Sequence, residues 1–451
     1  MPGKKTAEVI VESNHEVQRI LAQAASAREV DVEAWETALR AAVLAAGAGL
    51  LEELLDGIGS GPQVEPVACP SCGRRMESQG RRPKTVLTIL GPVHYRRTRL
   101  ECPSCNRALY PGDERLDIEG TTRSPGLRRM MSRAGSRGTF KEGREDLRVY
   151  AGLTVSAKDV ERVAEATGAD MELWMGRERK RLLAERPAGL VGKTIPTLYI
   201  EADGTGVPMT RQELAGRRGK QPDGTARTRE AKLGCVFTQT FLDKEGYPLR
   251  DPDSTSFVGA IERCEQFGLR LYAEALRRGL RHAQRVVMLG DAAEWIKNLQ
   301  VMHFPEALYI VDLYHAREHV AELCKGLFTG QDKAVAHHRL RWWADLDAGR
   351  VEKIIAEARR CLPSSDNRRE EAKGQIAYLD KNREHMRYAE FRRQGLFVGS
   401  GVVEAGCGSV IGLRLKQSGM EWSVRGANAI IALRCMMVSG RLEDYWESRV
   451  G

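Results

Sequence analysis

No apolar run in this 451-residue sequence is long enough to span a bilayer. The longest, around AAVLAAGAGLL (41–51), falls well short of the roughly 20 residues that a membrane helix needs. The N-terminus, MPGKKTAEVIVESNHEVQRI, lacks the basic start, apolar centre and cleavage site of a secretory signal. Internal repeats and long low-complexity tracts are missing too, which argues against a solenoid or an extended linker protein. A disulfide framework is not expected either. Four of the ten cysteines form two CxxC pairs and the other six are scattered, a pattern that favours a metal site in a reducing compartment. With 42% hydrophobic residues, the expectation is a globular cytoplasmic protein of two to four domains with no membrane partner.

Acidic residues are in short supply, and unevenly so. The chain carries 70 Lys and Arg against 61 Asp and Glu, a net charge of +9. The surplus concentrates in residues 74–107 (nine basic, two acidic) and 123–148 (eight basic, three acidic). Clustering of this kind points to a polyanionic partner, with a solvated basic surface as the plain alternative.

Residues 1–60 are rich in Ala, Leu and Glu at helical spacing and read as two helices between Lys5 and about Leu55. Residues 65–115 contain CPSCGRR and CPSCNRA around KTVLTILGPVHYRRTRL, two β-type runs separated by Gly91-Pro92. Closing that hairpin gathers Cys69, Cys72, Cys102 and Cys105 into a tetrahedral Zn²⁺ site, a zinc ribbon. With so small a local core, the metal would supply much of the folding energy. Arg96 and Arg97 on the hairpin are candidate phosphate contacts. In residues 120–190, FKEGREDLRVYAGLTVSAKDVERVAEATG (140–168) reads as helix, Gly152 turn and a helix capped by Ser156. This is a helix-turn-helix-like pattern whose second helix, Ala157–Thr167, would carry Lys158 and Arg162 toward DNA.

From residue 195 the texture becomes α/β. TLYIEADG (197–204), KLGCVFTQTFLD (232–243), RVVMLGD (285–291) and ALYIVDLYH (307–315) read as buried strands. Residues 256–279 read as a helix ending at glycine, and 292–300 as another. Residues 316–395 are helical, charged and Trp-bearing; there, Arg341 with Trp342 or Trp343 is a candidate contact to DNA. Residues 396–445 form a last helical region with Arg414, Lys416 and Arg425 as further candidates. For these groups, core packing and plain surface charge are the competing readings.

Asp203 and Asp291 each close an apolar strand, and Glu404 lies early in the last helical region. Strand ends in one sheet can lie side by side, so these three acids could hold Mg²⁺, which prefers hard oxygen ligands. Each also has a local explanation: a turn at Asp203-Gly204, a helix cap at Asp291, a helix-dipole partner at Glu404.

YIEADGTGVPM, VVMLGDAAEWI, DLYHAREHV and GSGVVEAGCGSVIGLRLKQSGMEWSVRGANAIIALR, in this order, resemble bacterial insertion-sequence transposases of the Mutator-like superfamily, in particular the ISKra-type group. The likeness extends over nearly the whole chain. It implies an α/β multidomain protein with an RNase H-like mixed-sheet catalytic domain (195–315 and 396–445), a helical insertion (316–395), and a zinc ribbon and helical modules in front. Carried onto this sequence, Asp203, Asp291 and Glu404 become a DDE triad, and Asp312 and His315 match a supporting DxxH element. The function so implied is metal-dependent cleavage and strand transfer of double-stranded DNA, with catalytic Mg²⁺ or Mn²⁺ and structural Zn²⁺. A homodimer or larger assembly would form when two element ends are paired. A DNA-binding protein that has lost catalysis, and a nuclease without strand transfer, are the rival readings.

Overall fold

The computed structural model describes residues 31–59, 67–185, 194–219, 224–364 and 366–449, together with residues 18 and 221. The chain divides into two units, Met1–Gly135 with Phe140–Val163, and Ser136–Thr139 with Ala164–Gly451.

Of the two helices expected before Leu55, the first falls on residues that, Gln18 apart, lie outside the described ones. The second is α1 (Val32–Gly59). Its acids serve strand backbone: Glu52 accepts from the His94 N–H at 2.6 Å and Asp56 from the Arg96 N–H at 2.6 Å. Those donors belong to a hairpin of β1 (Glu77–Thr88) and β2 (Gly91–Glu101), paired from Glu77↔Glu101 to Thr88↔Gly91 with a register shift between Ser78 and Arg81. The turn is therefore Ile89-Leu90, and the expected Gly91-Pro92 break lies inside β2. Thr88 closes the turn by accepting from the Leu90 N–H and donating to the Gly91 carbonyl. A short β3 (Ala108–Leu109) adds to β2.

Helices α2 (Pro125–Arg137), α3 (Phe140–Ala151) and α4 (Ala157–Ala184) follow. Leu127, Met131, Leu147, Leu153, Val155 and Val160 form their shared core. Gly152 turns at φ +69°, a left-handed conformation that glycine adopts without steric cost, and Ser156 Oγ accepts from the Asp159 N–H at 3.0 Å. The expected turn and cap are thus in place. The helix after them does not stop at Thr167; it runs on to Ala184 through Gly168, where a Cβ would stand 2.0 Å from the Ala429 carbonyl oxygen.

The second unit is built on a mixed five-stranded sheet with strand order β10-β9-β4-β5-β8. Its strands are β4 (Ile195–Pro208), β5 (Thr228–Gln239), β8 (Ser256–Ala260), β9 (Ala283–Gly290) and β10 (Leu308–Val311). The pairs β4–β5 and β5–β8 are antiparallel, while β9 and β10 run parallel to β4. A separate ribbon of β6 (Phe241–Leu242) and β7 (Pro248–Leu249) leaves the end of β5. Two expectations are corrected here. Residues 256–260 are a strand, and the helix α5 (Cys264–Arg277) begins only after it. β4 does not end at Asp203; it continues through Gly204 and Gly206 to Pro208, so Gly204 is paired with Lys232 instead of turning.

Glycines let helices approach this sheet. A Cβ on Gly234 would stand 2.7 Å from Leu271 of α5, on one face. On the opposite face, a Cβ on Gly406 would stand 2.4 Å from Phe257 and 3.0 Å from Leu233. After α6 (Glu294–His303) and β10, residues 313–393 form α7 (Leu313–Leu327), α8 (Asp332–Asp347), α9 (Val351–Arg360), α10 (Asp366–Asn382) and α11 (Tyr388–Arg393). The chain then returns through α12 (Gly401–Gly406), a π-type turn over Cys407–Gly412, and α13 (Val424–Val438). Among the described residues no helix is long and apolar enough to cross a membrane.

Candidate metal-binding and catalytic site

Two groups of metal-ligating side chains have one ligand atom of each residue within 4.8 Å of the others, among the described residues. The first is Cys69, Cys72, Cys102 and Cys105. Each CPxC forms the same knuckle. The Cys69 N–H donates to the Arg74 carbonyl and the Gly73 N–H to the Cys69 carbonyl; the same two bonds recur at Cys102, Arg107 and Asn106. Sulfur separations of 3.5 Å (Cys69–Cys105, Cys72–Cys102) and 3.9 Å (Cys72–Cys105) exclude disulfides, whose sulfurs lie about 2.05 Å apart. They match the roughly 3.8 Å edge of a tetrahedron with metal–sulfur bonds of about 2.3 Å. Backbone hydrogen bonding at Ser71 draws the Cys69 thiol down to about 6, and that at Ser104 lowers Cys102 in the same way.

The second group is Asp312, His315 and Glu404. Sheet register explains why these residues meet Asp203 and Asp291. The β4–β9 pairing runs to Glu201↔Leu289, and β9–β10 runs to Gly290↔Val311. Carried on by one or two residues, it sets Asp203 within β4, Asp291 just past β9 and Asp312 just past β10 in one row across three neighbouring strands. Parallel strands stand about 4.8 Å apart, and residues in register project to one face. That face is the one bearing α12, because Asp203 pairs with Leu233, against which Gly406 packs.

Asp203 and Asp291 border the tight Asp312–His315–Glu404 group. Asp203 Oδ1 turns to the Gly204 N–H at 2.6 Å, and Asp291 Oδ1 to the Ala293 N–H at 2.8 Å, the start of α6. His315 Nε2 lies 4.0 Å from Asp291 Oδ2. Burial, with the charge of Asp203, pushes the Cys407 thiol up. Burial, with the charges of Asp312 and Asp203, holds the Glu404 carboxyl above the ordinary range. An acidic pocket with that property favours a cation.

Asp312 itself is spoken for. It is fully buried, caps α7 by accepting from the His315 N–H at 2.7 Å, and takes both the Ser400 N–H (2.6 Å) and Ser400 hydroxyl (3.0 Å) on Oδ2. One residue on, the Leu313 N–H donates to the Val398 carbonyl at 2.9 Å. The end of β10 is thereby fastened to the segment that launches α12. From the insertion, Tyr378 donates to the Asp291 carbonyl at 3.1 Å and Tyr388 to that of Val311 at 3.0 Å.

Two residues that belong to this site escaped the sequence reading. Ser400 links Asp312 to Glu404, Oγ to Oε1 at 3.2 Å. Glu201, hidden in an apolar run, is wholly buried beneath α12, and burial pushes its carboxyl up to about 8. Its signal was available: a charged residue two positions before Asp203, hence on the same face.

The basic and aromatic candidates divide. Arg96, Lys158, Arg162, Lys416 and Arg425 are exposed. Lys416 bonds to the Thr205 hydroxyl, two positions beyond Asp203. Arg97 is not free for phosphate: it stacks on Tyr110 and pairs with buried Asp113, which also holds Lys84 at 2.9 Å. Arg414 is wholly buried over the Trp422 ring, so the sequence reading of it as a surface contact is corrected. Trp342 is likewise core, with its indole N–H on Glu357 at 2.9 Å, and cannot stack on a base. Trp343 gives its N–H to the Arg317 carbonyl at 3.0 Å, and half-exposed Arg341 pairs with Glu357.

Residues 266–449 match a family model described as "Uncharacterised protein family (UPF0236)", a span that takes in Asp291, Asp312, His315 and Glu404 and leaves out Asp203 and the four cysteines. Among curated proteins, the chain is similar to the "UPF0236 protein in vanSb 3'region" of Streptococcus gallolyticus, 22% identical over 386 residues that cover 81% of this chain and 75% of that protein.

Proposed function

We propose that the chain is a DNA transposase of an insertion sequence, of the Mutator-like, ISKra-type kind that its motifs resemble. The observation that carries this reading is the row of Asp203 within β4 and of Asp291 and Asp312 just beyond β9 and β10, with Glu404 brought alongside by α12. The mixed sheet interrupted by a helical insertion supports an RNase H-like catalytic domain. Asp203, Asp291 and Glu404 would hold Mg²⁺, or Mn²⁺ in its place, since their donors are all hard oxygens. Bound there, the ions supply the Lewis acidity for in-line phosphoryl displacement.

The chain's own residues do the rest. Asp312 and Ser400 fix Glu404, and His315 lies between Asp291 and that acid. Lys416 stands where a phosphate beside Asp203 would need a counter-charge. The four cysteines, with tetrahedral spacing and soft donors, suit a structural Zn²⁺ and thus a zinc ribbon. Arg96, Lys158 and Arg162 are placed on the exposed surface to meet the phosphates of element ends. Joining two ends calls for at least a homodimer, acting on DNA in the cytoplasm.

The test uses purified protein, labelled element ends, a target plasmid and Mg²⁺. Joined products are expected. Nicks without joining would make the protein a nuclease, and binding without cleavage would make it a DNA-binding protein that has lost catalysis.

A further inference from the structure

Helix α12 begins without an ordinary side-chain cap. The first N–H groups of a helix have no partner within it, and the residue before the helix usually supplies one. Here that residue is Ser400, whose hydroxyl is turned instead to Asp312 and Glu404. The sheet supplies the missing acceptor. Glu201 Oε2 accepts from the Val403 N–H at 2.8 Å and stands 3.6 Å from the Cys235 thiol. Its other oxygen, Oε1, is buried with no hydrogen-bond partner.

An acid placed in a fully buried strand needs a reason, since burying a carboxyl is costly. Val403 immediately precedes Glu404, so the Glu201 bond fixes the backbone that presents the third acid. Asp312 fixes the same helix at Ser400, four residues before Glu404. Glu201 lies two positions before Asp203 on the same face of β4, about 7 Å further into the core. One strand therefore presents Asp203 directly and holds Glu404 through a hydrogen bond.

We propose that Glu201 is a positioning residue that docks α12 on β4 through the Val403 N–H and so sets Glu404 against Asp203 for divalent-cation binding. This rests on the metal-dependent reading of the site. What the role demands of residue 201 is an acceptor oxygen at that place, not a carboxylate charge in contact with the ion.

Glu201→Gln keeps the acceptor, while Glu201→Met keeps the length and removes it. Mn²⁺ binding to each zinc-loaded, full-length variant, followed by titration calorimetry, needs no catalytic turnover. Wild type and Glu201→Gln should bind Mn²⁺ within about twofold of one another. Glu201→Met should bind about 10- to 100-fold more weakly, as is typical when a residue supporting a metal ligand is lost. Wild-type affinity in a folded Glu201→Met overturns the inference, and so does a tenfold loss in Glu201→Gln, which decides the matter if the Met variant does not fold. Asp203→Asn and Glu404→Gln are the reference variants. If wild type binds no Mn²⁺ that these two abolish, the metal-dependent reading fails and this inference with it; if they do abolish it and Glu201→Met does not weaken it, only the role of Glu201 fails.

Discussion

Glycines 406 and 408 lie two positions apart and should respond to alanine with opposite signs. A Cβ on Gly406 would meet Phe257 at 2.4 Å and Leu233 at 3.0 Å, whereas carbon atoms prefer about 3.5–4.0 Å. A Cβ on Gly408 meets nothing within 4 Å. Replacing a helical glycine by alanine gains about 1 kcal/mol of backbone propensity. At Gly408 that gain stands alone, so Gly408→Ala should stabilise by up to ~1 kcal/mol. At Gly406 it is set against overpacking of about 1–3 kcal/mol, so Gly406→Ala should lose ~1 kcal/mol net. The effect on chemistry should be larger than the effect on stability. Lifting α12 off the sheet moves Glu404, and a displacement of about 1 Å can cost ~10²-fold in rate. Urea unfolding and strand cleavage, run on both variants, check the pair. If Gly406→Ala is as stable as Gly408→Ala and cleaves normally, α12 does not rest on Phe257 and Leu233 as described.

Asp203→Ala, Asp291→Ala and Glu404→Ala should each abolish strand cleavage in a gel assay while leaving binding to element ends largely intact; full activity in any one removes that residue from the triad. Cys72→Ser should lower the zinc content of purified protein measured by atomic absorption, and unchanged stoichiometry would refute the Cys₄ site. Lys416→Ala should weaken DNA binding and reduce the slope of log K against log salt by about 1, as expected on losing one phosphate contact. Arg414→Ala, by contrast, should show up in the unfolding midpoint, because that side chain is packed against Trp422.

Local devices were more readily legible in the sequence than the geometry that gathers the acids. Both CxxC knuckles, the Gly152 turn and the Ser156 cap are local devices, and each was legible from a few neighbouring residues. The acids at 203, 291 and 312 could be seen to follow apolar runs, but their alignment is a matter of strand register, which no single run contains. β8 was missed because five residues, SFVGA, are too few to show a two-residue period before a helix begins. β4 was cut short because two glycines after Asp203 imitate a turn. Arg414 was read as outward-facing, and Trp342 as either core or a DNA contact, because charged neighbours surround them, and only packing decides which side of a helix such residues take. Glu201 was overlooked for the converse reason: its neighbours are apolar, so the acid looked like an interruption.

The stitching of Leu313 to Val398 and of Asp312 to Ser400 joins the two ends of an excursion of some eighty residues at its root. Closing a long loop costs little more than closing a medium one, since the penalty grows only with the logarithm of length. With departure and return tied at one neck, the outlying helices α8 and α9 are free to lengthen, shrink or acquire new surfaces over generations. The carboxylates beyond the neck would register such changes only through α10 and α11, whose Tyr378 and Tyr388 reach the Asp291 and Val311 carbonyls.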